Sequence, residues 1–135
     1  MANVVIDTNV LVSALWSADG NPAKIVRLIP DKKAIPHFSR EILLEYQTVL
    51  SRPAFRFSHE QVDTLLKKLL KYGNICQVTK SGIALPDESD RVFYDVAKSC
   101  EAILITGNKK HYPNEAFIVT PKDFLIVAEN SATDG

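Results

Sequence analysis

Val4-Val5-Ile6-Asp7-Thr8-Asn9-Val10-Leu11 joins two patterns: an apolar, β-branched run ends on a carboxylate, and an apolar helical pattern starts directly after it. The run reads as a strand with Asp7 at its carboxyl end. In open α/β sheets ligands bind in the crevice outside the carboxyl ends of the strands, so an acid there is a candidate for chemistry. Asp is also a favoured helix N-cap, and on this stretch alone the two readings of Asp7 stand level.

Downstream, the periodicity predicts helices over residues 9–15 and 23–29, separated by an Asp19-Gly20-Asn21-Pro22 turn, and a strand over 34–38. Ser39 offers an N-cap for a helix that Pro53 stops, with Ile42, Leu43, Tyr46, Val49 and Leu50 on its apolar face. At about 100° per residue Glu45 falls on the border of that face and Glu41 farther out. Ser58-His59-Glu60-Gln61 has the form of a capping box, and Val62, Leu65, Leu66, Leu69 and Leu70 follow at helical spacing. Residues 75–79 alternate like a strand, and a loop leads to Asp87-Glu88-Ser89-Asp90. Phe93, Val96, Ala97 and Cys100 then mark a buried helical stripe with Asp90 on its border, while Asp95 projects to nearly the opposite face. Residues 102–106 form a short strand ending in Thr106-Gly107-Asn108, and residues 117–119 another. Thr120-Pro121 opens a last helix, with a frayed tail from Asn130 that leaves 131–135 disordered.

Strands alternating with helices predict an α/β fold, a mostly parallel sheet flanked by helices. A chain of 135 residues, 46% hydrophobic, is enough for one domain with its own core, here 1–130. Cys76 and Cys100 form no Cys-x-x-Cys pair and read as reduced core thiols, which points to the cytoplasm. No run approaches the ~20 apolar residues of a membrane span, so no membrane association is expected.

The net charge is zero, which argues against a uniformly basic nucleic-acid binder, but the charge is unevenly spread. Residues 52–80 carry an excess of four positive charges and residues 81–101 an excess of three negative ones. A basic stripe beside an acidic centre suits an enzyme that grips a phosphate backbone and concentrates metal ions, although a charge run is ordinarily just a solvated helix face. In a parallel sheet Asp7, Asp90 and Asn108 gather near one edge, with Glu45 brought in from a flanking helix. Several acids in one place repel one another or require a cation, and Mg²⁺ takes oxygen ligands while leaving positions for phosphate oxygens.

Four elements in this order resemble the PIN domain, a small nuclease module that includes the VapC-type toxins of toxin-antitoxin systems. They are Val5-Ile6-Asp7-Thr8-Asn9-Val10-Leu11, Ser39-Arg40-Glu41-Ile42-Leu43-Leu44-Glu45-Tyr46, the stretch from Asp87 to Ala97, and Leu104-Ile105-Thr106-Gly107-Asn108-Lys109-Lys110. The resemblance implies that Asp7, Glu45 and Asp90 bind Mg²⁺ or Mn²⁺ and are catalytic, with Asp87 and Asn108 as further candidate ligands. It implies that Thr8 or Asn9 orders the first acid or contacts phosphate, and that Asn108, Lys109 and Lys110 meet the substrate. It also implies an RNA substrate cut by metal-activated water, a small antitoxin partner and a homodimer. The family commonly has a fourth acid after the Thr-Gly, where this chain has Asn108. A second cation is then held more weakly unless Asp87 or, less readily, Asp95 contributes, or the substrate phosphate completes the site.

Of the histidines, His37, His59 and His111 share no ligand spacing and read as packed or solvated, with His111 near enough to Asn108 to touch substrate. Trp16 and the phenylalanines read as core or dimer contacts. Two other functions are weighed. An aspartyl-phosphate phosphotransferase needs a second Asp where Asn9 stands, and a receiver domain needs its phosphoacceptor on a later strand. A PIN-fold module of weakened activity, acting through binding alone, is the remaining alternative, and the missing fourth acid keeps it open.

Overall fold

The computed structural model describes residues 2–134 along the backbone and 2–129 with their side chains. Five strands, β1 (Ala2–Ile6), β2 (Ala34–Phe38), β3 (Asn74–Ile75), β4 (Ile103–Ile105) and β5 (Ile118–Val119), pair in parallel in the order β3-β2-β1-β4-β5. The helices are α1 (Thr8–Trp16), α2 (Asn21–Leu28), α3 (Arg40–Leu50), α4 (His59–Tyr72), α5 (Arg91–Cys100) and α6 (Pro121–Asp134). Three short 3-10 turns, Pro53–Phe55, Glu88–Asp90 and Lys109–His111, connect them. This is the α/β architecture that the alternation of patterns predicts.

β1 is the central strand, and Val4, Val5 and Ile6 are buried. Its near-continuous apolar run is what a strand covered by helices on both faces requires. The chain adds β2 and β3 on one side of β1 before crossing to add β4 and β5 on the other. The order therefore reverses at β1 and β4, and the crevice at their carboxyl ends is the place such sheets reserve for ligands. Local signals agree with the packing: the Ser39 side chain accepts from the Ile42 N–H, and Ser58 and Gln61 complete their capping box. Thr120 Oγ1 accepts from the Asp123 N–H to open α6.

Three expectations are corrected. The strand over 75–79 shortens to Asn74–Ile75. In the parallel register His37↔Asn74 and Phe38↔Ile75, residues 76–79 would pair beyond the end of β2, where Ser39 already turns the chain into α3. The tail expected over 131–134 is helical backbone continuing α6, because neither Gly nor Pro interrupts residues 122–134; Gly135 lies outside the described residues. Cys76 and Cys100, read as separate core thiols, are brought together, with Cα atoms 6.7 Å apart. A separation of 24 residues conceals that the end of α5 returns beside the segment following β3. Among the described residues no helix is long and apolar enough to cross a membrane.

Candidate metal centre

Asp7 occupies the N-cap position of α1, but its side chain makes no capping hydrogen bond. The structural reading that competed with chemistry is thereby removed. The pairing of Ile6 with Ile105 brings Thr106, the residue after β4, beside Asp7, and the Asp7 N–H donates to the Ile105 carbonyl. Thr106 Oγ1 donates to Asp7 Oδ2 at 2.8 Å, and the Tyr112 hydroxyl donates to the same oxygen at 2.9 Å. Oδ1 makes no hydrogen bond among the described residues, and Asp7 has no ion pair although it is only 5% exposed. A buried carboxylate without a cation is costly unless something neutralises it.

The turn after β4 is fastened on both sides. Thr106 Oγ1 accepts from the Asn108 N–H while Asn9 Oδ1 accepts from the Gly107 N–H. A Cβ on Gly107 would lie 3.2 Å from that Asn9 oxygen, so the residue's small size lets the two segments close. Asn9 is thus committed through its oxygen to ordering the site. Thr8 is buried, and its Oγ1 has no hydrogen-bond partner. It lies directly after the first acid, and an orphaned hydroxyl there, like the free Asp7 oxygen, fits a bound ion with its waters.

Asp90 closes the 3-10 turn Glu88–Asp90 and stands at the N-cap of α5, again without a side-chain capping bond. Burial, then the charges of Asp7 and Asp87, raise its pKa from 3.8 to about 6. Asp87 caps that 3-10 turn, accepting from the Ser89 N–H and hydroxyl through Oδ1. His111 Nδ1 lies 3.1 Å from Asp90 Oδ2, and one ligand atom from each of Asp87, Asp90 and His111 lies within 4.8 Å of the others. Among the described residues this is the one group of three or more His, Cys, Asp or Glu side chains with metal-ligand spacing.

Other expected site residues are less tightly gathered. Asn108, Lys109 and Lys110 are exposed at the rim, and among the described residues their side chains make no hydrogen bond or ion pair. Glu45 is exposed, has no hydrogen-bond or ion-pair partner among the described residues, and lies outside the close group. The next residue, Tyr46, is buried and donates its hydroxyl to the Ile6 carbonyl, which docks α3 against the end of β1. Asp95 departs from the solvent-facing position expected of it. It is 3% exposed, accepts from the Ser81 N–H and lies 3.6 Å from Arg91, because the irregular segment after β3 folds over that face of α5.

Tyr112 is a contributor that the sequence did not single out, Thr106 was noted only as part of a polar strand end, and His111 only as near enough to touch substrate. Thr106 had a legible signal, a polar residue at the end of an apolar strand like Asp7 itself. Tyr112 and His111 lie in a stretch without periodicity, where nothing local points inward.

The raised pKa of Asp90 has a definite consequence for the protein without metal. Because the folded state holds the proton more tightly than the unfolded chain, this group's stabilising contribution is full below pH 4 and is lost as pH rises through about 6. In EDTA, the difference in melting temperature between wild type and Asp90→Asn is expected to shift in the variant's favour over that window. A difference independent of pH would refute the burial of Asp90.

The oxygen donors of Asp7, Asp90 and Asp87 suit a hard divalent cation. Comparison with known proteins agrees with this chemistry. An uncharacterized protein of Methanocaldococcus jannaschii is 35% identical over 109 residues, which cover 78% of this chain and 70% of that protein. No solved structure matches the chain. The PIN domain family model matches residues 3–110, a span holding Asp7, Glu45, Asp90 and Asn108, and with the parallel sheet and the site at its switch point this establishes that the chain belongs to the PIN domain family.

Proposed function

We propose that the protein is a divalent-metal-dependent endoribonuclease, the toxin of a toxin-antitoxin pair. Asp7 carries this reading: its buried carboxylate is fixed by two hydroxyl donors on Oδ2, free at Oδ1 and without a counter-ion. Such a group is built to hold a cation. Asp7 and Asp90 would bind the ion, with Glu45 turning in from α3 and Asn108 offering one neutral oxygen. When bound there, Mg²⁺ or Mn²⁺ supplies a water of lowered pKa and neutralises charge developing on the phosphate. Thr106 and Tyr112 keep the Asp7 carboxylate in one orientation, and Asn9 keeps the Thr106–Gly107 turn against it. Lys109 and Lys110, exposed beside Asn108, attract the phosphate backbone, and the basic residues between Arg52 and Lys80 extend that pull. No side chain serves as a nucleophile.

A small antitoxin that covers the acidic crevice, a homodimer and action on cytoplasmic RNA belong to the same proposal. The second reading, a weakened module that acts through binding, draws on Asn108 in place of an acid. End-labelled RNA incubated with Mg²⁺, Mn²⁺ or EDTA decides between them. Cleavage with either ion and none in EDTA supports the nuclease, whereas RNA left intact under all three conditions favours the binding module.

A further inference from the structure

We propose that His111 joins Asp87 and Asp90 in a mixed nitrogen and oxygen site that binds a transition-metal ion such as Mn²⁺ in preference to Mg²⁺. The proposal rests on the metal-dependent reading above and adds to it a ligand and an ion preference. His111 stands one residue beyond the span that matches the PIN domain family model.

Two 3-10 turns make the arrangement. Asp87 and Asn108 are the N-cap residues of the turns Glu88–Asp90 and Lys109–His111, so that each turn carries its last residue, Asp90 or His111, three positions on, and the His111 N–H donates to the Asn108 carbonyl. His111 thus follows by one tight turn the position at which this chain has Asn108. His111 Nδ1 and Asp90 Oδ2 are 3.1 Å apart. That separation suits a hydrogen bond, and it also suits neighbouring ligands of a six-coordinate ion with bonds of about 2.1 Å, whose edges measure about 3 Å. Asp87 keeps Oδ2 for an ion, since Ser89 occupies only Oδ1.

A second observation points to a cation at this place: Asp7, buried and with its Oδ1 unbonded among the described residues, is held through Oδ2 by the hydroxyl of Tyr112, the residue directly after His111. Imidazole nitrogen is a poor ligand for Mg²⁺, which selects oxygen, and a better one for Mn²⁺ and the later divalent ions. With one carboxylate fewer and one imidazole more than an all-acid site, the centre shifts its preference accordingly.

The test is pulsed electron paramagnetic resonance of the whole protein loaded with Mn²⁺, alongside Mn²⁺ and Mg²⁺ titrations. Echo modulation from a directly bonded ¹⁴N is expected in the wild type and not in His111→Ala, and the variant is expected to bind Mn²⁺ about tenfold more weakly while its Mg²⁺ affinity holds. The His111 side chain is 48% exposed, so the variant retains the core. Bound Mn²⁺ without ¹⁴N modulation, or equal Mn²⁺ affinity in the variant, overturns the histidine site. In that case Mn²⁺-dependent RNA cleavage would still uphold the nuclease. Failure of either ion to bind overturns both readings.

Discussion

Asp7→Asn is expected to lower divalent-dependent RNA cleavage by roughly a thousandfold or more while leaving the metal-free protein as stable as the wild type, or more so. The asymmetry follows from the hydrogen bonds. An Asn side-chain oxygen in place of Oδ2 still accepts from Thr106 and Tyr112, so the network at the end of β1 survives. What disappears is a buried charge that has no ion pair among the described residues, a change that commonly costs nothing and can stabilise. Added metal reverses the order. An ion at a hundred times its dissociation constant stabilises a protein by about 2.7 kcal/mol, and only the wild type should gain it in full. The check is two melting curves per protein, with and without Mn²⁺, beside the cleavage rates. A variant that cuts RNA at near wild-type rate would remove Asp7 from the chemistry, and one that melts far below the wild type in EDTA would make it a structural residue.

How much of this centre could be read from the chain depends on how each residue reaches it. Asp7 and Asp90 were legible because each sits where an apolar pattern changes period, and such junctions lie at the ends of strands and helices. Asp7 in particular reads equally well as a cap until the fold shows its side chain declining that bond. Glu45 was legible only by resemblance, and it remains exposed at the rim. Tyr112 and His111 belong to the centre through contacts 105 and 21 residues away in sequence, and no local periodicity encodes them.

The fold divides in the same manner. The parallel sheet, the Ser58–Gln61 capping box and the helix starts are local chemistry and were legible. The truncation of β3, the burial of Asp95 and the meeting of Cys76 with Cys100 all concern one irregular stretch between α4 and α5. There the chain obeys long-range contacts with α5, through Ser81 to Asp95 and Thr79 to Ser99, and the alternating pattern of residues 75–79 yields to them. Asp95 shows the cost of counting angles on an isolated helix: a face is solvent-exposed only if nothing folds over it.

Gly73→Ala is expected to destabilise the protein by about 3 kcal/mol, near the upper end for a single added methyl, without altering the metal centre. Gly73 ends α4 with φ of −102° and ψ of −178°, a conformation open to any residue, so the penalty is steric and not conformational. A Cβ there would lie 2.6 Å from the Leu69 carbonyl oxygen, 2.6 Å from Phe38 Cε1 and 2.7 Å from the Pro36 carbonyl oxygen. Two of the three are backbone atoms that no rotamer change can move, and Phe38 is itself buried in the core. Relief requires α4 to back away from β2, which loosens the Gly73 N–H bond to Leu69 and the short β3 pairing just beyond. For a domain whose total stability is of the order of 5–15 kcal/mol, such a loss is readily measured. Urea unfolding should show a lower midpoint with an unchanged slope, while Mn²⁺ affinity at low temperature stays that of the wild type, since β1 and β4 carry the centre and lie across β2 from the clash. An unchanged midpoint would mean that α4 is not locked against the sheet at all, and weakened Mn²⁺ binding would mean that the lock extends through β2 to the acids at the end of β1.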